Sequence, residues 1–81
     1  MNVFEQVRGI ASDILGLPLG QISATSSPEN IEAWDSVQHL NLVLAIEEKF
    51  QLQLSPEEIE QMKNIGDITA LVERKRQAKS S

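Results

Sequence analysis

The chain has 81 residues, with 12 Asp and Glu against 7 Lys and Arg, a net charge of −5, one histidine and no cysteine. At this length a single domain buries only about 60% of its unfolded surface, which weighs against two domains and against a deep active site with its own supporting shell. Missing thiols exclude a disulfide framework, a thiolate metal site and a cysteine nucleophile, and a lone histidine excludes a multi-His metal cluster.

In chain order, the first helix is announced by Asn2 three residues before Glu5, a capping arrangement that opens the apolar series Val3, Val7, Ile10 and Ile14. Gly16 can take the left-handed conformation past its end, and Pro18 blocks continuation. Met1 to Glu5 carry no basic leader, and no apolar run approaches the ~20 residues of a membrane span, so the expectation is an unprocessed cytoplasmic chain without a membrane span. From Leu17 to Trp34 the text is rich in Pro, Gly, Ser and Asn without a sustained period. It reads as a long loop with one turn around Ser27, Pro28 and Glu29.

Asp35 stands where an N-cap belongs, with Gln38 three residues on, and Val37 to Phe50 run free of Gly and Pro as a second helix. The alternation in Phe50 to Leu54 is too isolated to form a sheet. Ser55, Pro56 and Glu58 supply a cap, a first-turn proline and a capping-box acid for a short third helix with Ile59 and Met62 on its apolar side. Asn64 caps a fourth, whose Ile65, Ile68, Leu71 and Val72 fall at helical spacing. The sum is an all-α fold of four helices, a domain over 1–77 and a frayed tail over 78–81. Arg74, Lys75, Arg76 and Lys79 suit a helix C-terminus, and without them residues 1–73 hold 12 acids and 3 bases, a charge of −9. Such a body repels nucleic acid and attracts basic protein surfaces.

The second helix carries apolar residues on two faces. At 100° per residue Leu42, Val43, Ile46 and Phe50 form one arc, and Val37, Leu40 and Leu44, flanked by Asn41, Glu47 and Glu48, lie nearly opposite. The second face is either buried, making this the central helix, or exposed as a docking patch; the acids at its edge favour docking. Ser36 follows the Asp35 cap at the helix start. Its local sequence allows an ordinary helix-start serine or the anchor of a phosphate ester, which would meet free N–H groups and the positive end of the helix dipole. His39 reads as a partly buried structural histidine and Trp34 as a loop anchor. A serine hydrolase lacks a base opposed to Ser36, and no Asp-rich loop of EF-hand type is present.

Taken together, Asp35-Ser36-Val37, the run from His39 to the Ala45-Ile46-Glu47-Glu48-Lys49-Phe50 helix end, Leu15-Gly16-Leu17-Pro18, Gln21-Ile22 and Ser55-Pro56-Glu57-Glu58 resemble the acyl carrier proteins over nearly the whole chain. The resemblance implies a four-helix bundle with a long first loop and a short third helix, and a carrier rather than an enzyme. It maps covalent 4'-phosphopantetheine onto Ser36 and assigns Asp35 to docking and metal coordination during transfer of the arm, with no metal resident. It sets Leu42, Val43, Ile46 and Phe50 along the acyl-chain interior. Val37, Leu40, Leu44, Glu47 and Glu48 become the face offered to basic patches of a phosphopantetheinyl transferase and of acyl-loading and acyl-processing enzymes, to which the chain presents itself as a monomer. Gln38, His39 and Asn41 stand where many fatty-acid-synthesis carriers have acids, and Trp34 resembles specialised free-standing carriers, so a dedicated pathway is expected. Fatty acyl, polyketide, and aminoacyl or peptidyl cargo all fit the resemblance; an unmodified helical interaction domain is the reading from another class.

Overall fold

Four helices follow the four caps: α1 (Val3–Leu15), α2 (Ser36–Phe50), α3 (Pro56–Glu60) and α4 (Ile65–Ser80), with a 3₁₀ turn at Leu19–Gln21 in the long first loop. The computed structural model describes residues 2–80, and side chains through Gln77, so the tail expected at 78–81 has its side chains outside the described residues. Among the described residues there is no strand, and no helix is long and apolar enough to cross a membrane.

The Asn2 side chain accepts the Glu5 amide at 2.8 Å, and Gly16, at φ 69°, closes α1 by donating to the Ser12 carbonyl at 2.9 Å. The buried stripe of α1 is Val3, Val7, Ala11 and Leu15, while Ile10 and Ile14 are only half-buried. The apolar face is thus centred slightly off the line drawn through the large aliphatics. Small Ala11 sits at 0% exposure within this stripe. On α2 the arc Leu42, Val43 and Ile46 joins this core, with Phe50 packed at its edge, and α4 contributes Ile65, Ile68, Leu71 and Val72.

The loop of residues 17–34 is folded onto the bundle rather than looped away from it. Its carbonyls at Ala24 and Ser26 accept the Gly66 and Ile65 amides at 2.8 and 3.0 Å, and Asn64 Oδ1 accepts the Asp67 amide at 2.7 Å. Three first-turn donors of α4 that no intrahelical carbonyl can reach are thereby satisfied, and loop and helix are tied together. Gly66 permits this approach, since a Cβ there would lie 3.1 Å from the Ala24 oxygen. Ile22, Ile31 and Trp34 bury their side chains from the loop, and the expected turn forms with the Asn30 and Ile31 amides donating to the Ser27 carbonyl. A radius of gyration of 11.7 Å equals the ~2.2·N^0.38 Å of a compact chain of this length.

Candidate functional site

Trp34 is the last loop side chain before α2 and is 2% exposed, so it fixes where the helix starts. Asp35 is extended, at φ −96° and ψ −173°, and its Oδ1 accepts the Gln38 amide at 2.9 Å. That cap leaves the amides of Ser36 and Val37 as first-turn donors without an intrahelical acceptor. The Ser36 side chain is exposed at this helix start.

Beside Ser36 lies a groove of ≈ 780 Å³, walled by the loop turn at Ser27 to Glu29, by Trp34, Asp35, His39 and Leu40, and by Ile59, Glu60, Met62 and Lys63 from α3 and the residues after it. Ser36 itself borders it, and its apolar lining belongs to Pro28, Trp34, Leu40, Ile59 and Met62. A phosphate ester on Ser36 would find two free amides at a helix N-terminus, and an attached chain would find a partly apolar groove beside it. The residues present therefore fit a phosphate-linked arm.

His39 stands one helical turn after Ser36 and is half-buried. The Trp34 indole donates its Nε1–H to His39 Nδ1 at 3.0 Å, with the two rings inclined by 22° and their centroids 6.0 Å apart. Because the indole nitrogen only donates, Nδ1 is the acceptor and neutral His39 carries its proton on Nε2. This bond joins the loop to the helix, an anchoring function sequence reading assigned to Trp34 without its partner. Pairing at five residues across a cap has no local signature.

The second apolar stripe of α2 is exposed: Val37 by 66%, Leu40 by 58% and Leu44 by 62%. Burial of α2 on both sides is thus excluded. Gln38 and Asn41 form a neutral amide pair beside it, with Asn41 Nδ2 donating to Gln38 Oε1 at 3.0 Å. At the far end the two adjacent acids differ. The Glu48 side chain is exposed, whereas Glu47 Oε2 accepts the Leu54 amide at 2.8 Å and holds the chain as it leaves α2 through the left-handed Gln51, φ 56°. Leu42, Val43 and Ile46 are between 0% and 4% exposed within the packed core, and neither they nor Phe50 line the groove beside Ser36. The apolar residues that do line it are Pro28, Trp34, Leu40, Ile59 and Met62; the two-arc reading of α2 gathered only Leu40 of these, because the others lie outside that helix.

A family profile described as "Phosphopantetheine attachment site" matches residues 5–72. An acyl carrier protein of Clostridium acetobutylicum is 35% identical over 82% of this chain and 86% of its own length, and one of Helicobacter hepaticus is 32% identical over 90% and 96%. Among solved structures, the holo acyl carrier protein of Geobacter metallireducens superposes with a TM-score of 0.86 at 26% identity, covering 98% of this chain and 91% of that one. The holo acyl carrier protein of Nitrosomonas europaea gives 0.78 at 31% identity, covering 93% and 96%. With the profile spanning most of the helices and both sequence relatives matched nearly end to end, the chain belongs to the acyl carrier protein family, whose covalent cofactor is 4'-phosphopantetheine.

Proposed function

We propose that Ser36 bears the phosphopantetheine arm and that the chain delivers acyl groups, as thioesters on that arm, to separate enzymes. The observation that carries this reading is the exposed Ser36 hydroxyl at the start of α2, with free first-turn amides behind it and a ≈ 780 Å³ groove beside it. When bound, the arm supplies the thiol that the sequence lacks. The chain itself presents the cargo and leaves the chemistry to those enzymes, and His39 has its Nδ1 engaged by Trp34 rather than by a carboxylate that would orient it as a base.

Val37, Leu40 and Leu44 form the contact stripe for the phosphopantetheinyl transferase and for acyl-loading and acyl-processing enzymes, with Glu48 as the acid at its edge. The neutral Gln38–Asn41 pair in the middle of this face supports service to a dedicated acyl-transfer pathway rather than to the ordinary fatty acid synthase. The apo chain is to be incubated with coenzyme A and a broad-specificity transferase and read by intact mass. Wild type is expected to gain one phosphopantetheinyl group and Ser36→Ala none. A wild type that gains nothing, or a Ser36→Ala chain that gains as much, overturns the assignment.

A further inference from the structure

We propose that His39 is a positioning residue for the arm: with Nδ1 held by Trp34, its Nε2–H donates to the phosphodiester on Ser36 and seats the root of the arm in the groove. This rests on the attachment reading above and assigns the chain a specific donor for the arm.

The argument begins with the tautomer. The indole of Trp34 is 2% exposed and donates to Nδ1 at 3.0 Å, so the neutral imidazole keeps its proton on the opposite nitrogen. Ser36 and His39 are three residues apart on α2, on the same face, where side-chain origins are about 5–6 Å apart. Helical side chains lean toward the N-terminus, which brings His39 toward the turn that carries Ser36. Both residues border the one groove.

The other charged groups around that groove narrow the choice of donor. Glu29 from the loop, Asp35 from the cap and Glu60 from α3 all repel a phosphodiester, and Asp35 is already engaged with the Gln38 amide. Lys63, after α3, is the cation on the wall. It sits on a long flexible stem, whereas the imidazole is held at Nδ1 by the Trp34 indole. Donation from a preorganised ring defines one direction for the arm; attraction by Lys63 does not.

The test compares apo and holo wild type, His39→Phe, His39→Gln and Lys63→Met, each confirmed as loaded by intact mass. Phosphorus NMR reads the diester, and nitrogen-15 NMR reads both imidazole nitrogens. In apo wild type the neutral ring should show the Nε2–H tautomer. On loading, the Nε2 and attached proton resonances should shift, and the proton should exchange more slowly with water. The phosphorus resonance of holo His39→Phe should move from that of wild type, and His39→Gln, whose amide nitrogen can stand near the lost Nε2, should restore most of the difference. Lys63→Met should leave it in place. Should His39→Phe fail to fold, the apo–holo comparison of wild type decides by itself. Unchanged His39 resonances on loading overturn the proposal, as does a phosphorus resonance that moves only in Lys63→Met. A wild type that never gains the arm overturns the attachment reading as well, and the mass spectrum tells that failure apart.

Discussion

Glu47 and Glu48 are neighbours in sequence with different duties in the fold. The Glu48 carboxylate is exposed at the end of the apolar stripe, while Glu47 accepts the Leu54 amide, seven residues away, at 2.8 Å in a partly buried contact. A hydrogen bond to a charged group contributes about 1.5–3 kcal/mol, and its loss here also leaves the Leu54 N–H without its acceptor. Glu47→Ala should therefore lower unfolding stability by about that amount, with Glu47→Gln losing less because its amide oxygen can still accept. Glu48→Ala should stay within about 0.5 kcal/mol of wild type. Urea unfolding of the three variants checks this; equal stabilities for Glu47→Ala and wild type would show that the Leu54 contact contributes nothing. Charge reversal at Glu48 alone is then the clean probe of docking, since reversal at Glu47 would disturb the fold it is meant to leave intact.

Among the elements, α3 has the least to hold it: five residues are too few for an independently stable helix. Pro56 opens it, and Ser55 and Glu58 cap it reciprocally, with the Ser55 amide donating to Glu58 Oε1 at 2.8 Å and Ser55 Oγ accepting the Glu58 amide at 3.2 Å. Lys75 of α4 reaches both Glu58 oxygens, at 2.8 and 3.0 Å. Hydrogen bonding from Lys75 first, and from the Ser55 backbone second, holds the Glu58 carboxyl below its ordinary value. A carboxyl lowered by folding stabilises the native state above its unfolded pKa, and that contribution fades as pH falls through the folded value. Amide protection at Ile59 and Gln61 should accordingly weaken on acidification below the ordinary carboxylate range, and Lys75→Met should reduce part of this pH dependence. The pair is partly exposed, so the loss near neutrality should be about 0.5–1 kcal/mol. Protection that does not change with pH would remove Glu58 as the device that fastens α3, and with it one wall of the groove. All four helix starts were legible in the sequence because a cap is local: Asn2, Asp35, Ser55 and Asn64 each meet an amide three residues on. The core line of α1 was legible only approximately, since it runs through Ala11 and Leu15 while Ile10 and Ile14 are only half-buried. The Trp34–His39 bond, the Glu47–Leu54 bond and the groove itself were not, because each depends on how the loop and α3 close over α2.

At the scale of the whole molecule, charge acts on folding and on docking in opposite senses. The chain's net −5, from 12 acids against 7 bases, is spread over a body with a radius of gyration of 11.7 Å and a long axis of 37 Å. At 0.01 M ionic strength the screening length of about 30 Å lets acids repel one another across most of that body, whereas at 0.1 M the length of about 10 Å confines repulsion to neighbours. Self-repulsion destabilises the compact state, so adding sodium chloride over this range should raise the melting temperature. If the relief amounts to about 1 kcal/mol, a domain of this size gains about 4–8 °C. The same screening removes the long-range attraction between this acidic body and a basic partner surface, so the association rate with a phosphopantetheinyl transferase should fall as the melting temperature rises. Glu48→Lys should flatten the salt dependence of association while leaving the rise in melting temperature nearly intact, because one surface charge among many changes the global repulsion little but removes an acid from the contact edge. Thermal unfolding and stopped-flow association, measured in the same salt series, separate the two effects. A melting temperature that is flat or falls with salt would rule out net repulsion within the body, and an association rate indifferent to salt would rule out an acidic docking face.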